Sequence, residues 1–118
     1  MNIKRNLKHL YQRHTRGFSD DECWDIHSHL LKWIKEHFKV YLEQAPQAVD
    51  LTYWKFEHKG AEWTQEQLMK RVIDLCELLL YEDGYLYTLD VAESIEVEVE
   101  AKNELYDILK LIHFQLWW

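Results

Sequence analysis

His29, Trp33 and His37 follow one another at intervals of four, and Asp25 stands one interval before them. Residues four apart share a helix face, so this spacing lays a carboxylate, an indole and two imidazoles along one stripe, with Trp24 beside it. Such a stripe can stack a purine and meet its ribose hydroxyls. It can equally be a half-buried packing face in which Asp25 pairs with His29. Arg16, together with Lys4, Arg5, Lys8 and Arg13, is the electropositive source large enough for a pyrophosphate. A guanidinium grips phosphate oxygens in a two-pronged fork, and a helix start at Ser19 would add free amides. Asp20 and Asp21 already occupy that terminus, and the same cations can simply balance acidic residues elsewhere.

Other chemistries are less well supplied. Cys23 and His27 are four apart and, with Cys76, would make three zinc ligands. A fourth ligand is not evident, and there is no Cys-x-x-Cys or His-x-x-x-His pair. No metal or cofactor is expected. His27 and His29 are two apart and face different ways on a helix. No nucleophile, base and orienting group form a readable set. Ser19 serves better as a helix cap. Glu62, Glu66 and the glutamates between 93 and 104 read as solvated helix surface rather than a catalytic pair. Gly60 and Gly84 form no phosphate-binding loop. The chain does not read as an enzyme.

The elements that must position these residues are helical. With three glycines and one proline in 118 residues, the chain has little turn chemistry, and an all-β fold needs many turns. The expected fold is all-α, one domain over residues 1–118, with three long helices, a short N-terminal helix and an aromatic-rich extended connection. Two cysteines are too few for a disulfide framework and read as buried thiols in a reducing compartment. No apolar run is long enough to span a membrane. A cytoplasmic protein is expected. Residues 1–16 carry +5 against −7 for the whole chain, leaving −12 for the rest. A globally acidic chain is a poor coat for nucleic acid. The basic arm could still pair with the acidic region Glu82–Asp107 of its own or a neighbouring chain.

Along the chain, Ile3, Leu7, Leu10, Tyr11 and His14 predict an amphipathic helix over Asn2 to His14, stopped at Gly17. Ser19 and Glu22 form a capping box, with Phe18 placed to staple against Cys23. A second helix is expected from Ser19, its apolar stripe running Cys23, Ile26, Leu30, Ile34, Phe38, Tyr41 and Leu42, and ending near Ala45 before Pro46. Residues 47–63 hold Tyr53, Trp54 and Phe56 and predict a short extended stretch with a turn at Gly60. Thr64 and Gln67 form a second capping box, stapled by Trp63 and Leu68. That helix is expected to end at Asp83-Gly84. Ile95 to Glu100 alternates like a strand, yet Ile95, Val99, Leu105, Ile108, Leu109, Ile112 and Leu116 keep helical spacing, and Asp90 can cap a start. One long helix is the preferred reading. Trp117 and Trp118 would be sticky in water and are expected to dock into the body or a second subunit. A homo-oligomer follows from the aromatic count and the charge split.

The order Arg16-Gly17-Phe18-Ser19, then Trp24-Asp25-Ile26-His27, then Phe56 to Thr64, with Trp117-Trp118 at the end, resembles a group of short phage- and prophage-encoded proteins. They share an Arg-Gly-aromatic-Ser/Ala segment, a following Trp with a polar and an acidic position, an aromatic-acidic-Gly stretch, and a terminal Trp-Trp. His27 stands where that pattern usually places an acid, so a carboxylate role there would pass to Asp25. The resemblance implies a small helical viral accessory protein that blunts a host defence, acting in the host cytoplasm. One form sequesters a nucleotide-derived immune signal. Trp24, Trp33 or Trp54 would then stack the base, Arg13 and Arg16 hold phosphate, and Asp25 or His29 meet ribose, with His27 beside them. A second form inhibits a host protein through the acidic face Glu93–Asp107. A virion assembly component is a third.

Overall fold

A computed structural model of the protein describes residues 3–16 and 23–117. The chain divides into two compact units, Met1–Leu30 and Leu31–Trp118. Most described residues are helical. The helices are α1 (Ile3–Arg16), α2 (Ile26–Gln44), α3 (Gln65–Leu79) and α4 (Val91–Ile112). At 14 residues, α1 is nearly as long as α3 at 15, so the helices do not sort into three long and one short.

In the first unit, α1 forms where the periodic apolar residues predict it. Ile3, Leu7, Leu10 and Tyr11 are all exposed. The expected stop at Gly17, and the Ser19–Glu22 capping box with Phe18, lie outside the described residues. The start of α2 differs from expectation. Cys23 to Asp25 are not α-helical, and the helix begins only at Ile26. The reason is local. Asp25 adopts a left-handed backbone, φ 54°, which aspartate tolerates better than most residues and which a right-handed helix cannot continue through. The Asp25 carbonyl then accepts the Ser28 and His29 amides at 3.1 and 3.3 Å. The predicted apolar stripe fails at this end: Cys23, Ile26 and Leu30 are exposed.

The second unit holds the core. Leu31, Ile34 and Phe38 of α2 pack with Leu68, Met69, Val72, Leu75 and Cys76 of α3 and with Ala101, Leu105, Ile108 and Ile112 of α4. After α2, a short 3₁₀ turn, Ala45–Gln47, carries Pro46 and buries Ala45. The connection is more regular than a single extended stretch. β1 (Lys55–His58) and β2 (Ala61–Thr64) pair antiparallel, Lys55 opposite Thr64 and His58 opposite Ala61. The two-residue loop Lys59-Gly60 has positive φ at both positions, 51° and 74°, the mirror-image turn whose twist suits a hairpin. This two-stranded sheet departs from the all-α expectation.

The second capping box forms as predicted. The Gln67 amide donates to Thr64 Oγ1 at 3.1 Å, and the Thr64 amide donates to Gln67 Oε1 at 2.9 Å. Trp63 and Leu68 both pack in the core cluster. The helix ends earlier than Gly84. Glu82 N–H bonds Glu77 O and Tyr81 N–H bonds Leu78 O, at 2.9 and 3.0 Å. This is the paired closing pattern of a helix C-terminus with Tyr81, φ 63°, in the left-handed position glycine usually takes. Residues 95–100 are helical within α4, and Asp90 caps it by accepting the Glu93 amide at 2.8 Å. Ile95 and Val99 are nonetheless exposed. The buried face of α4 begins at Ala101.

Candidate functional site

A half-open cleft of about 220 Å³ lies within the second unit. Its floor is built by chain reversals. After α2 the backbone turns at Asp50, whose Oδ1 accepts both the Thr52 amide, at 2.9 Å, and the Thr52 hydroxyl, at 2.6 Å. These bonds, the hydroxyl foremost, hold the Asp50 carboxyl below its ordinary range, so it is ionised at neutral pH. Leu51 is buried as an anchor, and its carbonyl accepts the Glu66 amide at 3.1 Å. That amide is one of the donors a helix start leaves without an internal partner. Gln65, at the first position of α3, is also buried. Its Nε2 donates to the Gln115 carbonyl at 3.2 Å, and the Tyr41 hydroxyl donates to that same oxygen at 3.2 Å. One carbonyl thus ties the end of the chain to α2 and α3.

Among the described residues, the rings of Tyr41, Tyr53, Trp54 and Trp117 stand on this floor. Tyr53 and Trp54 meet edge to face, 5.4 Å between centroids. Tyr53 is 72% exposed, Trp54 54% and Trp117 73%. Core packing does not account for rings this open. Among the described residues that line the cleft there is no Lys or Arg, and Asp50 is its one formal charge.

A second hollow, about 450 Å³ and shallower, runs along β2 and α3 past Lys70 and Arg71. Both cations are already engaged. Lys70 pairs with Glu66 at 2.8 Å. Arg71 forks onto Glu104, Nε to Oε2 and an Nη to Oε1, both at 2.8 Å. Glu104 also accepts Lys59 Nζ at 2.8 Å and the His58 Nε2–H at 3.1 Å. Arg71 above all, then Lys59 and His58, hold this carboxyl far below the usual range against the opposing effect of burial. Glu104 is therefore not the solvated surface residue its neighbours suggest, but a buried anchor joining the hairpin, α3 and α4. Its position was readable from its spacing to Ala101 and Ile108. Its partners, which come from other elements, were not. Lys35 is likewise buried, bonded to both carboxylate oxygens of Glu82 at 2.9 and 2.7 Å, and that contact raises its pKa despite burial.

The residues singled out from the sequence fall in different places. Trp54 lines the cleft. Trp33 does not. It is exposed and stacks on His37 at 3.9 Å with 22° between planes, so one face is already covered. His37 Nδ1 donates to the Trp33 carbonyl at 2.7 Å. In the first unit, the Arg5 guanidinium lies 5.0 Å from the Trp24 ring centre. Asp25 takes His27 Nδ1–H at 2.8 Å, so its carboxylate pairs with His27 rather than with His29. His29 is exposed, and Arg13 and Arg16 lie on α1. Cys76 is buried as expected and its thiol is pushed up to about 12 by burial. It is a neutral thiol, not a nucleophile or ligand. Cys23 is exposed, contrary to expectation. Among the described residues no three His, Cys, Asp or Glu side chains gather as a metal site requires, and no helix is long and apolar enough to cross a membrane. The sequence reading passed over Asp50, Gln65 and Gln115. The aromatic connection ahead of a capped helix was the signal that could have drawn attention to the first two.

Comparison of the chain with protein-family models, with curated proteins and with solved structures finds no match.

Proposed function

We propose that this chain is a binding protein without catalytic turnover, an accessory protein of phage type that captures a nucleotide-derived signal in the host cytoplasm. The observation that carries the reading is the aromatic cleft with its exposed rings and the Asp50 carboxylate. Stacking on indole and phenol faces takes a base of any identity, and Asp50 supplies a polar contact at the floor. Ligand pockets for whole drug-sized molecules run to about 300–1,000 Å³. The cleft, at about 220 Å³, fits one ring system and leaves the rest of a nucleotide outside.

A thermal-shift panel of cyclic and ADP-ribose-type nucleotides tests the reading. A rise in melting temperature with particular nucleotides is expected, and Trp54→Ala should abolish it. A panel that leaves the melting curve unmoved ends the sequestration reading.

A second reading has its own observation. Val91, Ile95 and Val99 are exposed along one line of α4, flanked on the helix by Glu96 and Glu98. An apolar seam with an acidic rim suits a protein partner with a basic surface. On that reading Glu96→Lys with Glu98→Lys removes a co-purifying protein, and nucleotides have no effect.

A further inference from the structure

Resting on the cleft as the ligand site, we infer that the ring it admits carries positive charge: a pyridinium, an N-alkylated base or a comparable organic cation. Three features point the same way. The lining offers aromatic faces from Tyr41, Tyr53, Trp54 and Trp117. The face of an aromatic ring is the negative end of its quadrupole, so a cation above it is attracted, most strongly by tryptophan. Among the described lining residues the one formal charge is the Asp50 carboxylate. The Thr52 amide and hydroxyl both bond its Oδ1, which fixes the group at the cleft and favours its ionised form. Among the described lining residues there is no Lys or Arg to repel a cation or to neutralise Asp50.

The alternatives fit less well. A phosphate group in the cleft would face Asp50 without a cation to offset it. A neutral base would gain stacking but nothing from the carboxylate beyond a hydrogen bond. An ammonium chain would be attracted to the ring faces but has no flat surface to stack on them. A flat cation uses both the rings and the charge. For the proposed nucleotide-derived signal, this names the end that enters: the cationic ring, with the phosphates outside.

Isothermal calorimetry on the intact protein compares ring-N-methylated nicotinamide, a pyridinium, with neutral nicotinamide, which differs from it by one methyl group and the charge. The cation is expected to bind roughly tenfold more tightly at low salt. Asp50→Asn keeps a carbonyl oxygen to accept the Thr52 donors and removes the charge. It should bring the two ligands to within about threefold of each other while leaving the neutral ring's affinity unchanged. Melting curves of the variant check that it folds. Trp54→Ala should weaken both ligands. Equal affinities for the two rings, or a preference for the neutral one, would overturn the inference and leave the cleft standing as a ring site. Binding of neither ring at millimolar concentration would overturn the inference and the cleft reading together.

Discussion

Glu104 lies on the face of α4 that turns inward, 5% exposed, with Arg71, Lys59 and His58 around it. A buried ion pair adds little over a well-packed apolar alternative, because desolvation offsets attraction. Removing one partner is different, since it strands the others. Glu104→Gln keeps the size and loses the charge, leaving the Arg71 fork half-satisfied. Arg71 and Lys59 retain some solvent, so the expected loss is about 2–3 kcal/mol, under the value for a fully buried pair, read from the urea midpoint at pH 7. The pH dependence follows from the same contacts. The folded state keeps this carboxyl ionised to lower pH than the unfolded chain does, whose ordinary value is 4.5. As pH falls, the unfolded chain binds the proton first. The stabilisation is thus complete above about 4.5 and drains away below it. Wild-type stability should fall between pH 5 and 3 by more than that of Glu104→Gln, and parallel curves would refute the assignment. Glu104 stands 3 residues after Ala101 and 4 before Ile108, yet its residue type grouped it with the solvated glutamates. What burial required was invisible, because its partners lie 33 to 46 residues away.

Elements were legible where their signals are local. The Thr64–Gln67 box and the Asp90 cap each occupy four residues and formed as read. Thr64→Ala should cost about 1 kcal/mol, the usual value for a lost cap, measured by chemical denaturation. The start of α2 was misread because the backbone at Asp25 turns left-handed, a choice that Ser19 to Ile26 does not announce in residue types. The hairpin was missed for a related reason. Lys-Gly is a weaker turn signal than Asn-Gly, and each strand has only four residues. Its lock is a side-chain contact, Trp63 Nε1–H donating to the His58 carbonyl at 2.9 Å. Gly60 shows what the turn demands. A Cβ there would meet nothing within 4 Å, and φ is +74°. The cost of Gly60→Ala is therefore backbone strain alone, about 1–2 kcal/mol. A neutral result in the same denaturation assay would mean the turn relaxes to another form. The cleft was half legible. Trp54 stood out as an aromatic in a long connection, while Asp50 and Gln65 act through turns and caps that only the folded chain brings together.

At the scale of the molecule, the question is what the exposed apolar residues of α4 are for. Val91, Ile95 and Val99 are 78%, 57% and 47% exposed, four apart, and therefore on one face. The expected homo-oligomer offers one answer, and charge decides how it must behave. If two copies met seam to seam, Glu96 and Glu98 of each, which flank that line on the helix, would approach their counterparts. Salt would screen that repulsion and strengthen the association, since the Debye length falls to about 3 Å at 1 M. If surfaces of opposite charge met instead, salt would weaken it. Size-exclusion chromatography with light scattering at low and high salt separates the two. The prediction for a seam-to-seam oligomer is a mass above the 14.5 kDa of one chain, rising with salt, and returning toward one chain in Ile95→Asp. That variant places a charge at an exposed position, so it should still fold, with a far-UV circular dichroism spectrum matching the parent's. A mass that falls with salt moves the interface away from the seam. A mass of one chain at every concentration removes the oligomer and leaves the acid-rimmed seam to a basic partner of different sequence, where Ile95→Asp should act on binding and not on size.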